Sequence, residues 1–234
     1  MALILRVDVD KPYGHSNLFY KLISKISEDY WFPKLSFIYL FHLEYFLKYC
    51  NDNDVKGVLY HRMCTLPSKK IKKLILEGSH KIGFHAENTR NLETFSEELN
   101  LFKLKLNDLE CSSFSKHGSG VYKLGRFHYP PYEEEKYLDW LKYLDIKFPF
   151  GNGIAEKSAD FNSVNDFYVK MFWIEPEYRS IKLNKIEDII EIAKHKDVPV
   201  LIHPCNFYSH KMVRDEFVKL VELAKQNKIE WILI

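Results

Sequence analysis

Asp8 and Asp10 stand two residues apart at the end of the run Leu3-Ile4-Leu5-Arg6-Val7. On a strand, residues i and i+2 project from the same face, so both carboxylates converge on one place. Two acids that close repel each other unless a cation or a shared proton relieves them, which is the chemistry of a metal site or an acid-base pair. A structural arrangement uses the same residues differently: Arg6, of the same parity, neutralises Asp8, and Asp10 caps the next segment. Ligand-type side chains recur at three further places where a strand should end: Gly83-Phe84-His85-Ala86-Glu87, Lys116-His117-Gly118-Ser119-Gly120 and His203-Pro204. One histidine at a strand end is commonly structural. Three of them with an acidic pair, all on the rim where an α/β barrel keeps its chemistry, point to a functional site.

Those residues need elements to carry them. The pattern predicts strands over Leu3–Val7, Gly57–His61, Lys81–Phe84, Ser112–Lys116, Ile146–Phe150, Phe167–Trp173, Val198–Ile202 and Ile229–Ile234. Helices are predicted over Ser36–Cys50, Lys69–Glu77, Thr94–Leu109, Glu133–Leu144, Ile186–His195 and Val213–Gln226. Such alternation implies a parallel sheet with helices outside it, which right-handed crossovers close into a barrel. The Pro- and aromatic-rich stretch Phe127–Tyr132 makes the expected fold a distorted, TIM-like (β/α) barrel rather than an ideal eightfold one.

At 234 residues and 46% hydrophobic, the chain can bury a full core, and without a repeat or a Gly/Ser linker it reads as one domain over 1–234. Lys+Arg at 34 against Asp+Glu at 32 leaves a net charge of +2, too balanced to argue for nucleic acid or an anionic membrane as partner. The aromatic stretch from Trp31 to Tyr49 carries Lys34, His42, Glu44, Lys48 and Pro33, so it reads as an amphipathic core helix and not a membrane span. Cys50, Cys64, Cys111 and Cys205 are scattered without a Cys-x-x-Cys pair, and the N-terminus lacks a basic, then long apolar leader. Both features lead us to expect a reduced, cytoplasmic protein.

Taken together, the motifs resemble the polysaccharide deacetylase family, the NodB-homology carbohydrate esterases. That family opens on a strand ending in an aspartate pair, matched by Asp8 and Asp10. The resemblance implies that Asp8 is the catalytic base and Asp10 a metal ligand. Gly78-Ser79-His80-Lys81-Ile82-Gly83-Phe84-His85 is similar to the strand that delivers the family's first ligand histidine, which makes His85 a ligand. Leu201-Ile202-His203-Pro204 is similar to the last family motif, which makes His203 the catalytic acid and puts Leu201 beside the acyl group. The fold implied is the NodB-type barrel, and the activity is removal of an N-acetyl group from a sugar with a divalent metal, zinc above others, as cofactor.

Two departures bear on that expectation. The family's second ligand histidine falls four residues past the first, where this chain has Thr89, and a neutral hydroxyl competes poorly with imidazole for zinc. His117 is the expected substitute, with Glu87 as the alternative. The His-Gly segment at His117 is similar to one in the WbmS-like O-antigen biosynthesis group, which implies a precursor of surface polysaccharide, O-antigen or capsule, as substrate. Secondly, Tyr129-Pro130-Pro131-Tyr132 matches the family's Arg-x-Pro-Tyr substrate motif except that tyrosine replaces arginine, and Arg126 lies three residues earlier. Arg126 is then either an orienting group for the base, a site for an anionic substituent, or a solvated surface arginine. Tyr132 belongs to the substrate segment, and Trp173 stacks on a sugar if it faces the site and is core if it does not.

The roles so carried over define a hydrolysis in which Asp8 takes a proton from water and His203 gives one to the departing amine. Three competing functions remain. One is another metal hydrolase on a similar barrel, whose usual His-x-His on the first strand is here Asp8-Val9-Asp10. A second is a catalytically inactive, carbohydrate-binding relative that lost the metal when Thr89 replaced histidine. The third is a sugar-modifying enzyme that uses the acids without deacetylating.

Overall fold

The computed structural model describes residues 1–10, 38–107, 109–118, 120 and 122–234. Its eight strands are β1 (Ala2–Val9), β2 (Gly57–His61), β3 (Lys81–Ala86), β4 (Cys111–Lys116), β5 (Phe150–Ile154), β6 (Tyr168–Trp173), β7 (Val198–Ile202) and β8 (Glu230–Ile232). The α-helices are α1 (Ile38–Asp52), α2 (Lys69–Glu77), α3 (Leu92–Leu106), α4 (Glu134–Trp140), α5 (Ile186–Ala193), α6 (Pro204–Ser209) and α7 (Lys211–Gln226). The strands run in the order β4-β3-β2-β1-β7-β6-β5, and β8 also pairs with β1. All the pairings between these strands are parallel. The sheet curls until its two edges meet: Lys147, just before β5, bridges Ser113 of β4, with Phe114 N donating to Lys147 O at 2.8 Å and Lys147 N to Ser112 O at 3.0 Å. This is the distorted (β/α) barrel that the sequence pattern predicts.

β1 is buried along its whole length, as a central parallel strand must be when both its faces are covered. Leu3, Leu5, Val7 and Val9 join the large core between sheet and helices. The alternate residue Ile4 joins a second cluster with Val58, Tyr60, Phe150, Tyr168, Met171 and Leu201, which fills the barrel. Alternation therefore stacks Ile4, Arg6 and Asp8 on the inner face, from an apolar floor to a charged rim. Small residues on β3 and β4 leave room for the inner side chains. A Cβ at Gly83 would come within 2.3 Å of the Tyr60 ring, and the Tyr60 hydroxyl lies 2.9 Å from Ser113 Oγ.

Most helices start where the sequence predicts, because their caps are local. Ser68 Oγ accepts from Ile71 N to open α2, and Asn91 Oδ1 accepts from Thr94 N to open α3. The predicted start of α1 at Ser36 lies outside the described residues. Two expectations need correction. The strand expected over Ile146–Phe150 lies instead at Phe150–Ile154: Pro149 has no N–H for a ladder, while Gly151 permits an approach so close that a Cβ there would sit 2.4 Å from Val169 O. The Gly-Asn-Gly sequence looks like a turn but is a strand pressed against its neighbour. The second correction is α6, since the sequence pattern predicts no helix between Ile202 and Val213; proline at the first helical position loses no hydrogen bond and opens a helix that buries Phe207 against Phe46, 5.2 Å between ring centroids.

Candidate metal centre and proton pair

The upper ends of β1, β2, β3, β4, β6 and β7 bring their polar side chains to one rim. Asp8 is the innermost, and Arg6 two residues below it clamps both its oxygens: Nε donates to Oδ1 at 2.8 Å and Nη2 to Oδ2 at 2.7 Å. Arg6 also donates through Nη1 to Gly151 O and to Asn152 Oδ1, each at 2.9 Å, so β5 fixes its plane. Burial alone would raise the Asp8 pKa, but Arg6 and His85 outweigh it and hold the carboxyl at about 2. Part of the structural arrangement allowed by the sequence is therefore real: Arg6 does neutralise Asp8. That pairing leaves Asp8 at the rim, 3.5 Å from His85 Nε2.

Asp10 is built differently. The chain bends past the end of β1, with Asp10 N donating to Asp8 O at 3.0 Å, and its Oδ1 is buried without a hydrogen bond. Around that oxygen lie His117 Nδ1 at 3.3 Å, Arg62 Nη1 at 3.7 Å and His85 Nε2 at 3.9 Å. Burial raises the Asp10 pKa against the pull of Arg62 and His203. His85 is oriented from behind, its Nδ1 2.7 Å from Ser115 Oγ, which leaves Nε2 facing the carboxylates. Its Nε2 is 3.1 Å from His117 Nδ1, and burial pushes both imidazoles down, His85 to about 3 and His117 well below the usual range. Both rings are neutral at working pH, the form that ligates metals.

Asp10, His85 and His117 form a set whose ligand atoms lie within 4.8 Å of one another. Ligands about 2.0–2.1 Å from a tetrahedral zinc sit roughly 3.3 Å apart, so separations of 3.1, 3.3 and 3.9 Å suit one ion with little adjustment. The buried, unpaired Asp10 Oδ1 is a further mark of a group that belongs there. The residues present fit a divalent metal.

Thr89 stands apart from this set. It is fully buried, and its hydroxyl lies 3.1 Å from Tyr137 OH, away from the carboxylates. The third member of the set, His117, follows the end of β4 on a segment held by several contacts. His117 N donates to Ala86 O, Lys116 Nζ and His128 Nε2 both reach His117 O, and Asn152 Nδ2 donates to Lys116 O. Gly118 takes φ +72°, open to glycine at little cost. Glu87, the alternative ligand, is paired with Arg62, whose Nε donates to Oε1 at 2.5 Å.

On the opposite side of Asp10, His203 Nε2 lies 3.8 Å from Oδ2. Its Nδ1 donates to Glu175 Oε1 at 2.9 Å, its backbone N donates to the same oxygen at 2.9 Å, and Asn206 Nδ2 adds a third bond at 3.2 Å. Burial would lower the His203 pKa, but Glu175 and the two aspartates outweigh it and raise it to about 9. Glu175, fully buried two residues past Trp173, was missed in the sequence analysis. The signal was there, an acid following a strand end just as at β1 and β3. Arg6 was read only as a neutraliser, and Arg62 was not singled out.

The expected substrate residues are placed unevenly. The Trp173 ring lies 6.0 Å from that of His203 and 5.3 Å from Tyr178, so it faces the proton side of the rim. Leu201, its partner in register on β7, is fully buried in the inner cluster below. Tyr132 is half-buried against Tyr137, ring centroids 5.6 Å apart, and burial raises its hydroxyl pKa. Arg126 is exposed, its guanidinium 5.5 Å from the Phe127 centroid, and the arginine on Asp8 is Arg6.

No family model matches this chain, and no curated protein matches it. Solved structures do. The polysaccharide deacetylase Bc1974 from Bacillus cereus aligns over 100% of this chain and 91% of its own, with a TM-score of 0.50 and 11% identity. A CE4 esterase from Streptococcus mutans covers 100% of this chain and 86% of its own at TM-score 0.49 and 12% identity. The catalytic domain of a peptidoglycan N-acetylglucosamine deacetylase from Eubacterium rectale covers 99% and 87%, at TM-score 0.48 and 12% identity. The likeness to Bc1974 over nearly all of both chains shows that this protein has the fold of a polysaccharide deacetylase.

Proposed function

We propose that this protein is a metal-dependent carbohydrate N-deacetylase acting on an N-acetylated sugar or sugar precursor. The observation that carries the reading is the division of the rim: an open Asp10-His85-His117 donor set lies between an aspartate fixed as the anion and a histidine fixed as the cation. The shared fold with a polysaccharide deacetylase supports it. A divalent ion, zinc for preference, held by Asp10, His85 and His117 supplies Lewis-acid polarisation of the acetamide and acidifies water.

The chain's own residues do the rest. Asp8, kept ionised by Arg6, accepts the proton of the attacking water. His203, kept protonated through its Nδ1 bond to Glu175, presents Nε2 to the departing amine and protonates it. Two groups with pKa values of about 2 and about 9 are pushed apart in the sense that acid-base catalysis at neutral pH requires. Trp173 stacks on the sugar beside His203, Leu201 lies under the acyl group, the Tyr132 segment binds the substrate, and Arg126 meets an anionic substituent at the mouth. The products are an amino sugar and acetate.

We further assign the substrate to surface-polysaccharide biosynthesis, O-antigen or capsule, met in the cytoplasm as a soluble or membrane-face precursor. No helix among the described residues is long and apolar enough to cross a membrane, and the four cysteines are free. The test is metal content together with acetate release from N-acetylated nucleotide sugars by the metal-loaded protein. Less than about a tenth of an equivalent of zinc, nickel, cobalt or manganese after metal-replete expression, with no acetate released, would favour the inactive, sugar-binding relative.

A further inference from the structure

One charged pair at the rim has no part in that reaction. Arg62 follows β2 and is fully buried, with its Nε on Glu87 Oε1 and its Nη1 3.7 Å from Asp10 Oδ1. Its turn is pinned to β1: Thr65 Oγ1 accepts from Arg62 N at 2.9 Å and donates to Val9 O at 2.8 Å. Cys64 Sγ lies 3.7 Å from the same Glu87 oxygen. A guanidinium cannot shed its charge, so a permanent cation lies 3.7 Å from the Asp10 oxygen that belongs to the donor set.

Two effects of that cation oppose each other. Facing Asp10, it keeps the carboxylate in place and ionised, which favours a bound metal as polar support behind a ligand does. It also repels any cation entering the site, and Coulomb's law doubles that repulsion for a divalent ion. Glu87 decides the balance, because its carboxylate offsets the guanidinium while the guanidinium keeps it from joining the donors.

We propose that the Arg62–Glu87 pair sets the divalent-cation affinity of the Asp10-His85-His117 site, with Arg62 as a brake and Glu87 as the counter-charge that keeps the brake weak. This rests on the metal reading given above. The two residues should then act with opposite signs, whereas a pair that merely supports the fold weakens binding whichever member is removed.

Zinc chloride titrated calorimetrically into the full chain, stripped with chelator, tests this, with Tm recorded for each variant. Glu87→Gln should bind zinc at least about tenfold more weakly than the parent, the scale on which supporting groups change metal affinity. Arg62→Met should bind at least as tightly as the parent. Because Arg62→Met buries a lone carboxylate and can fail to fold, the double variant Arg62→Met/Glu87→Gln is the second arm. It differs from Glu87→Gln only at residue 62 and should regain most of the lost affinity. A double variant no tighter than Glu87→Gln, or a Glu87→Gln protein that binds like the parent, overturns the proposal while leaving the metal reading intact. A parent chain that takes up no zinc overturns both.

Discussion

The two sides of the rim set their carboxylates against different partners. On the β1–β3–β4 side, Asp10 Oδ1 is buried without a hydrogen bond beside the neutral imidazoles of His85 and His117. On the β6–β7 side, three donors converge on one oxygen of Glu175, and His203 is fixed in ring plane and protonation. A buried carboxylate oxygen without a hydrogen bond is costly, and beside two neutral imidazoles it suits a cation. The Glu175–His203 ion pair is a different case: all three donors lie on Glu175 Oε1 while Oε2 is left without one, and the Nδ1 bond holds the imidazole ready to move a proton from Nε2. Asp8 and Asp10 show the same contrast two residues apart: Arg6 occupies both oxygens of the first and leaves the second open.

The sharpest way to break this comparison is Asp10→Asn. An amide oxygen is a weaker, uncharged ligand, so metal and acetate release should be lost together, and metal analysis of the variant checks it. Retention of a full equivalent would show that the open oxygen is not a ligand. Asp8→Asn should keep the metal while turnover falls roughly 10²–10⁴-fold, the usual cost of losing a general base. It also leaves Arg6 buried opposite a neutral group, a change that costs about 3–5 kcal/mol when one partner of a buried pair is removed. A lower Tm with metal content unchanged is therefore expected. If Asp8→Asn strips the metal and Asp10→Asn keeps it, the two roles are exchanged.

On the other side, Glu175→Gln addresses the cation. His203 acts as an acid while protonated, so activity should fall as pH rises through about 9. Removing the largest group that raises this pKa should move the basic limb at least one unit toward neutrality and cut turnover at pH 8 by at least about twofold. An unmoved limb would separate His203 from the pH profile. His117→Ala should lower metal affinity by at least about tenfold, with Glu87 still bound to Arg62 and unable to replace it. Arg126→Ala should be the smallest change, less than about 0.5 kcal/mol in stability for an exposed side chain, and a rise in KM confined to anionic substrates would sharpen its role.

Much of this was legible in the chain itself. Strands and helices whose signals are local, such as Gly57–His61, Lys69–Glu77 and Val198–Ile202, lie where hydrophobic pattern and caps predict them. Asp8, Asp10, His85, His117 and His203 follow from one rule, that polar residues ending parallel strands share a rim, and the structure brings all five together. That rule needs only the parity of each strand and its direction.

What the sequence did not decide concerns pairs far apart in the chain. Whether Arg6 faces Asp8 with Gly151 and Asn152 behind it depends on β5 folding back across the barrel, 145 and 146 residues away. His203 becomes a cation only because β6 places Glu175 beside it, 28 residues earlier. Arg62 reaches both Glu87 and Asp10 from a turn that no periodicity marks. Only the folded chain shows that Arg62 takes Glu87 while His117 lies with Asp10 and His85 in the group that could hold an ion. Residue type and strand position set what each side chain can do, and burial next to a particular partner sets its charge, because the pKa values here are governed by desolvation and by neighbours brought together only when the barrel closes.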